Sequence, residues 1–345
     1  MRWRATLCEI DAAATRTVRK RTTFQYEPGC HFDPRKKSFS LTSVRRQYYE
    51  SAIEVMLLRS NREVVNSMMI IDSQVHIWAP ETPEKPYAKQ DASSPHRSIP
   101  LGHEELLREM DGAGVSRCVL VPPTWEDDRN DTSLEAARRH PDRFRVMGKL
   151  KLTIPESRGL MATWKNQPYL LGTRMTFNAG KSRQWLEDGT ADWFWDAAER
   201  YDVPVMAFAP NAVPKLGDIA ERHPGLRMIV DHMGLSSALR GKSLEPAVTN
   251  IIKLARLSNV AVKVSALPCY VDEPYPFPTL HPLVRRVVDA FGPQRCFWGT
   301  DLSHLPCPYK QVVTLFTEEM KSLSTTELEW IMGRGLAEWL HWSVT

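Results

Sequence analysis

The sequence predicts an α/β fold, a (β/α)8 barrel of the TIM type, with a poorly structured N-terminal extension ahead of it. Two observations carry this expectation. From Met69 onward, eight short apolar runs alternate with amphipathic stretches over about 278 residues, the rhythm of strands each followed by a helix. The competing architecture, an open doubly wound sheet, would place a Gly-x-Gly-x-x-Gly turn after its first strand, and no such turn is there.

Residues 1–67 show no sustained helical or strand period. They end in Asn66-Ser67-Met68-Met69, which suggests an over-long start, with translation beginning at Met68 or Met69. Arg2, Arg4, Arg16, Arg19 and Arg21 would suit a targeting peptide, but Glu9 and Asp11 would not. A partner-binding arm is the third reading. The expected division is therefore an extension over 1–67 and a barrel over 68–345.

The barrel opens on IIDSQVHIW (70–78), an apolar strand whose alternation would set Asp72, Gln74 and His76 on one face. Further strands are expected at 117–122, 143–152, 170–177, 203–208, 226–232, 259–265 and 295–301. His103 to Ala113 carries Leu106, Leu107 and Met110 at helical spacing. Ala191–Tyr201, Val213–His223, Glu245–Leu257 and Thr279–Phe291 behave alike. Gly112, Pro141, Pro204, Pro224 and Gly292 punctuate the joints.

Charge and composition exclude several functions. Residues 1–67 hold 13 Lys+Arg against 7 Asp+Glu, net +6, and the remainder holds 32 against 34, net −2. The basic balance thus belongs to the extension, and the barrel offers no electrostatic footprint for nucleic acid. No apolar run reaches the roughly 18 residues of a membrane span, and no secretory signal is visible. A cytoplasmic protein is expected, its six scattered cysteines reduced and structural.

In such a barrel, chemistry sits at the C-terminal ends of the strands. Strand 1 ends in Gln74 and His76, strand 6 in Asp231-His232, and strand 8 in Asp301. Strand 4 carries Arg174, strand 7 Lys263, and strand 3 Lys149 and Lys151 on one face. A lone histidine there is more often a hydrogen-bonded core residue, and Asp301 could simply cap a helix. Arg174 and Lys263 could form an interior ion-pair lattice with Asp72 or Asp231. Two histidines, a glutamine and an aspartate at one mouth are harder to place as separate accidents, and a shared site is expected.

These segments resemble the amidohydrolase superfamily in its amidohydrolase-related (family 2) branch. IIDSQVHIW resembles the branch's Asp-x-His-x-His first strand, MIVDHMGL (228–235) its sixth-strand motif, NVAVKVSAL (259–267) its seventh, and FWGTDLSHLP (297–306) its eighth. LLGTRMTFN (170–178) resembles a fourth-strand segment of its lactonases, so that the chain looks like the metal-independent, 2-pyrone-4,6-dicarboxylate lactonase-like members. Two departures stand out: Gln74 replaces the first histidine of the pair, and strand 5 has no histidine. A glutamine carbonyl is a weak Zn2+ ligand beside imidazole.

The resemblance therefore implies a hydrolase that opens a small, carboxylate-bearing lactone without a cofactor. Asp301 would be the general base, His76 and Gln74 donors to the developing oxyanion, and His232 an orienting group. Arg174, Lys149 and Lys263 would bind the anionic substrate. Trp78, Trp125 and Tyr270 are candidate apolar walls, whereas Trp298 reads as core. His96, Arg97 and Tyr87, in the long loop 79–100, and loop 268–278 are candidates for substrate contact. The alternatives are a decarboxylase or amidase-type hydrolase holding Zn2+ or Mn2+ on His76, His232 and Asp301, and a non-catalytic anion-binding barrel. A homo-oligomer would suit such a barrel.

Overall fold

The computed structural model describes residues 68–88, 95–178 and 180–343. The expectations for residues 1–67 lie outside them. Eight parallel strands follow one another in chain order: β1 Ile71–Val75, β2 Arg117–Leu120, β3 Phe144–Gly148, β4 Leu170–Thr176, β5 Val205–Phe208, β6 Met228–Val230, β7 Val260–Ser265 and β8 Cys296–Gly299. Each pairs with its successor, so the order β1 to β8 carries no crossover. The predicted helix His103–Ala113 matches to the residue. Asp192–Arg200, Val213–Arg222, Leu244–Ile252 and Leu280–Phe291 fall within a few residues of expectation. Asp131–Arg139, the short Glu156–Met161 and Gly180–Gln184, and a C-terminal group ending in Gly335–Trp339 add to the helical layer beyond the expected set.

The strand sequences explain the two cores. Ile71, Val119, Met147, Met206, Ile229, Ala261 and Phe297 form one buried cluster with Leu336, Ala337, Leu340 and Trp342, which makes a lower interior layer floored by the C-terminal helix. The alternate residues, among them Val205, Ala207, Val262, Val264 and Trp298, pack outward against the helices in the larger cluster. This is the in-out alternation that a closed parallel sheet requires. No helix among the described residues is long and apolar enough to cross a membrane.

Strand β1 breaks the alternation, and this corrects one expectation. Its register against β2 shifts between Asp72 and Val75. Ile71 belongs to the interior layer, whereas Val75 belongs to the outer one. An irregularity of this kind moves the following side chains to the other face. Asp72 is thereby separated from Gln74 and His76, which reach the site.

Asp72 instead joins β1 to β8, between which no strand ladder forms. Its carboxylate accepts from the Thr300 N–H at 3.0 Å, the Tyr309 hydroxyl at 2.6 Å, the Gln74 N–H at 3.0 Å and the Thr300 hydroxyl. Burial raises its pKa to about 6 against these bonds. One backbone bond, Asp301 N–H to the Gln74 carbonyl at 3.0 Å, continues the seam upward. Gly299 is required there, because a Cβ would meet Ser73 Oγ at 2.3 Å.

Removing the carboxylate would strand four buried donors. Asp72→Ala should lose at least about 3 kcal/mol of stability in urea unfolding. Asp111→Ala, which removes an ion pair with Arg143 from an exposed carboxylate, should change stability by less than about 1 kcal/mol. Equal losses in the two variants would remove Asp72 from its role at the seam.

Candidate active site

The upper ends of the strands converge on a cavity of about 440 Å3. Gln74, His76, Arg174, His232 and Asp301 all line it. The backbone turns sharply where the strands stop. His232 (φ 53°), Ala266 (φ 56°) and Asp301 (φ 55°) follow β6, β7 and β8 in the left-handed region, where residues other than glycine are uncommon and mark constrained sites. The strands are shorter than the sequence suggested for this reason: the polar tails Asp231-His232 and Thr300-Asp301 leave the ladders to form these turns.

Each histidine is held from behind. His76 Nδ1 lies 2.7 Å from the Val121 carbonyl oxygen, which can only accept, so Nδ1 carries a hydrogen. His232 Nδ1 lies 2.8 Å from Ser265 Oγ. Both Nε2 atoms face Gln74 Nε2, His232 at 3.1 Å and His76 at 3.4 Å. Burial lowers the pKa of each ring to about 4, against the pull of Asp301. Near neutral pH both are therefore uncharged.

Asp301 stands on the other side of the rings. Oδ1 is 3.3 Å from His76 Nε2 and Oδ2 is 3.8 Å from His232 Nε2. Burial pushes its pKa up, but the charge that the surrounding imidazoles, His76 foremost, take on below about pH 4 outweighs burial and holds it well below the usual carboxylate range. Oδ1 is buried and receives no hydrogen bond from another protein group. An ionised oxygen without a donor, at the edge of a cavity, suits a proton acceptor.

Behind Gln74 lies a buried charge chain. Lys263 Nζ donates to Gln74 Oε1 at 2.7 Å and pairs with Asp231 Oδ1 at 2.8 Å. Asp231 Oδ2 accepts from Arg174 Nε at 3.1 Å. Burial alone would raise the pKa of Asp231, but Lys263 and Arg174 reverse the shift and lower it. Arg174 Nη1 donates to Thr176, and its guanidinium lies over the Phe208 ring with Cζ 5.5 Å from the centroid.

Of the three expected substrate-binding cations, only Arg174 lines the cavity. Lys263 is fully buried in the chain just described. Lys149 turns its ammonium to the Pro123 carbonyl oxygen at 3.2 Å, and burial together with Arg174 lowers its pKa to about 7. Lys151 pairs with Asp127 and Asp128 at the surface. Of the two carboxylates offered for an interior ion-pair lattice, Asp231 takes Lys263 and Arg174, and Asp72 makes the seam bonds instead.

Among the loop candidates, His96 reaches the cavity, with Nδ1 2.8 Å from Ser303 Oγ and its ring edge-on to Trp125. Arg97 pairs with Glu105, and the Tyr87 hydroxyl donates to the Ala79 carbonyl oxygen. Tyr270 lines the cavity with Trp125, whereas Trp78 packs edge-on against Trp125, and Trp298 stacks on Tyr309 in the core, as expected. Sequence reading missed Arg240, His304 and Phe208, which also line the wall. Arg240 lies in the loop after β6 and His304 in a single 3-10 turn after β8, both without periodic signal, and Phe208 closes β5 as an apolar residue that does not titrate.

His76 Nε2 and His232 Nε2 point at one place, but the Gln74 NH2 group is already there, with its carbonyl turned to the Lys263 ammonium. No group of three His, Cys, Asp or Glu side chains among the described residues is arranged to hold an ion. This arrangement does not fit a metal.

Comparison with known proteins agrees with the barrel fold. The amidohydrolase family pattern matches residues 71–334. An L-fucono-1,5-lactonase of Burkholderia ambifaria is 29% identical over 237 residues, 67% of this chain and 79% of the relative. A 4-sulfomuconolactone hydrolase of Hydrogenophaga intermedia is 27% identical over 238 residues, 68% of this chain and 74% of the relative. The crystal structure of an amidohydrolase from Burkholderia multivorans, with bound zinc, superposes with a TM-score of 0.67 at 22% identity, covering 79% of this chain and 99% of that one. With its barrel and the position of its strand-end residues, the chain belongs to the amidohydrolase family of hydrolases.

Proposed function

We propose that this hydrolase opens a small lactone that carries an anionic group, using Asp301 as the general base and no metal. The observation that carries the reading is the donor-free, buried Oδ1 of an ionised Asp301 beside the cavity. The two lactone-hydrolysing relatives support the reaction class. A cavity of about 440 Å3 suits a small cyclic molecule. Arg174 and Arg240 on its wall suit a carboxylate or sulfonate. The four described cysteines are free, which suits a reducing, cytoplasmic setting.

Water held by Asp301 attacks the ester carbonyl carbon and gives its proton to the carboxylate. The carbonyl π electrons move to oxygen, where a Gln74 N–H donates. We assign the N–H that faces His76, because its 3.4 Å contact is the weaker of the two. Collapse reforms the carbonyl, breaks the ring C–O bond and sends the pair to the alkoxide. The proton returns from Asp301 to that oxygen, and the hydroxy acid then ionises.

Neutral His76 differs from the expected donor role. Its N–H is committed to Val121, so its Nε2 lone pair can only accept. At 3.3 Å from Oδ1, that lone pair can share the proton Asp301 has taken. A lactone needs less assistance than an amide because alkoxide leaves more readily than amine, so a base and a donor suffice. No step runs through a metal, and the decarboxylase and amidase alternatives would require one.

Asp301→Asn should lower kcat by about 10^3-fold on whichever lactone of a carboxylated, sulfonated and neutral panel is turned over. Binding of the ring-opened product, followed by calorimetry, should stay within about threefold. Turnover within tenfold of wild type would remove Asp301 as base. Prolonged chelation should leave the rate unchanged, and a loss restored by Zn2+ or Mn2+ would bring back the metal alternatives.

The pH dependence follows from the two histidines. Protonated His76 would aim an Nε2–H at Asp301 and push away the Gln74 N–H. The rate should therefore be flat near neutrality and fall as pH drops through about 4. An acid limb of kcat/KM centred above pH 6 would contradict this assignment.

A further inference from the structure

We propose that Lys263 is a positioning residue: its ammonium fixes the Gln74 amide with NH2 at the point where two imidazole lone pairs converge, so that an uncharged plug stands where a cation would otherwise bind. This deepens the metal-free reading above by naming what enforces it.

A carboxamide has two orientations of the same shape, and only its neighbours choose between them. On one side, Lys263 Nζ lies 2.7 Å from the oxygen end. An ammonium has donors and no acceptor, so it selects oxygen. On the other side, the Nδ1–H of His76 is committed to the Val121 carbonyl, which leaves Nε2 a lone pair in the neutral ring. His232 makes the matching contact from Nδ1 to Ser265 Oγ. Gln74 Nε2 has two hydrogens, one for each lone pair, at 3.1 and 3.4 Å. A reversed amide would set NH2 against ammonium and carbonyl oxygen against the His76 lone pair.

Lys263 itself cannot turn aside. Its side chain is fully buried and is paired with Asp231, which Arg174 holds in turn. The order is thus guanidinium, carboxylate, ammonium, amide, imidazoles. An imidazole that gives its Nδ1–H to a backbone carbonyl and a second whose Nδ1 meets a serine hydroxyl, both aiming Nε2 at one point, are arranged as metal ligands are. What keeps a cation out is the amide hydrogens and the positive charge behind them.

The test needs no turnover. In the wild-type chain at neutral pH, long-range 1H–15N spectra of 15N-histidine-labelled protein should show His76 and His232 both as Nδ1–H tautomers, each assigned by its own replacement. In Lys263→Met the amide is released, and His232 should shift toward the Nε2–H form. Zinc titration by calorimetry should give affinities rising in the order wild type, Gln74→Ala, Gln74→Ala/Lys263→Met. The last should take one ion per chain, about 100-fold more tightly than wild type, and lose it with His232→Ala. An Nε2–H on either ring of the wild type, unchanged tautomers in a folded Lys263→Met, or wild-type zinc affinity equal to that of the double variant would each overturn the proposal. Should Lys263→Met not fold, the wild-type tautomers and the comparison with Gln74→Ala still decide. A chain that shows the expected tautomers and zinc order yet opens no lactone would sink the functional reading and leave this one standing.

Discussion

The ion pair between Lys263 and Asp231 is the constraint on which the site depends. Both side chains are fully buried, with nitrogen and oxygen 2.8 Å apart. Removing two charges from water costs several kcal/mol per ion, and only close geometry with further hydrogen bonds offsets it. Here the carboxylate also accepts from Arg174, and the ammonium also donates to Gln74. Removing Asp231 would strand a buried ammonium, and removing Lys263 would leave the carboxylate to Arg174 alone. The pair therefore fixes positions more than it adds stability, and the fixed positions are those of one guanidinium on the cavity wall and one amide at its floor.

The same constraint explains why charge and neutrality alternate through the centre. Lys263 is positive, Gln74 neutral, the two imidazoles neutral because burial lowers their pKa, and Asp301 negative. The amide and the rings thus separate the ammonium from the carboxylate. A direct Lys263–Asp301 pair would leave the carboxylate a weaker base. With the polar spacer in between, Asp301 keeps an oxygen without a donor.

The barrel was legible in the sequence because each strand is a short apolar run and each intervening helix carries its own apolar stripe. The strand-end residues were legible for the same reason, since they are polar groups closing apolar runs. Three things were not. The register shift in β1 leaves no trace in a sequence of alternating character, so Asp72 read as a neighbour of Gln74 on one face. The destination of a long cation depends on which partner the fold brings near, which is why Lys149 and Lys263 read as ligands for substrate and lie instead against Pro123 and Asp231. Arg240 and His304 come from irregular loops, where no period announces which way a side chain turns.

The irregularity in β1 has a consequence for how such a chain can change. Asp72 and Gln74 are two residues apart, yet one answers to the closure of the sheet and the other to the floor of the cavity. In a regular strand they would share a face, and any new residue at 74 would press on the seam. The displaced register lets the two positions be edited separately. A substitution at 74 can alter what the site holds while the carboxylate at 72 keeps the cylinder shut, so that novelty at the mouth need not be purchased with fragility in the wall.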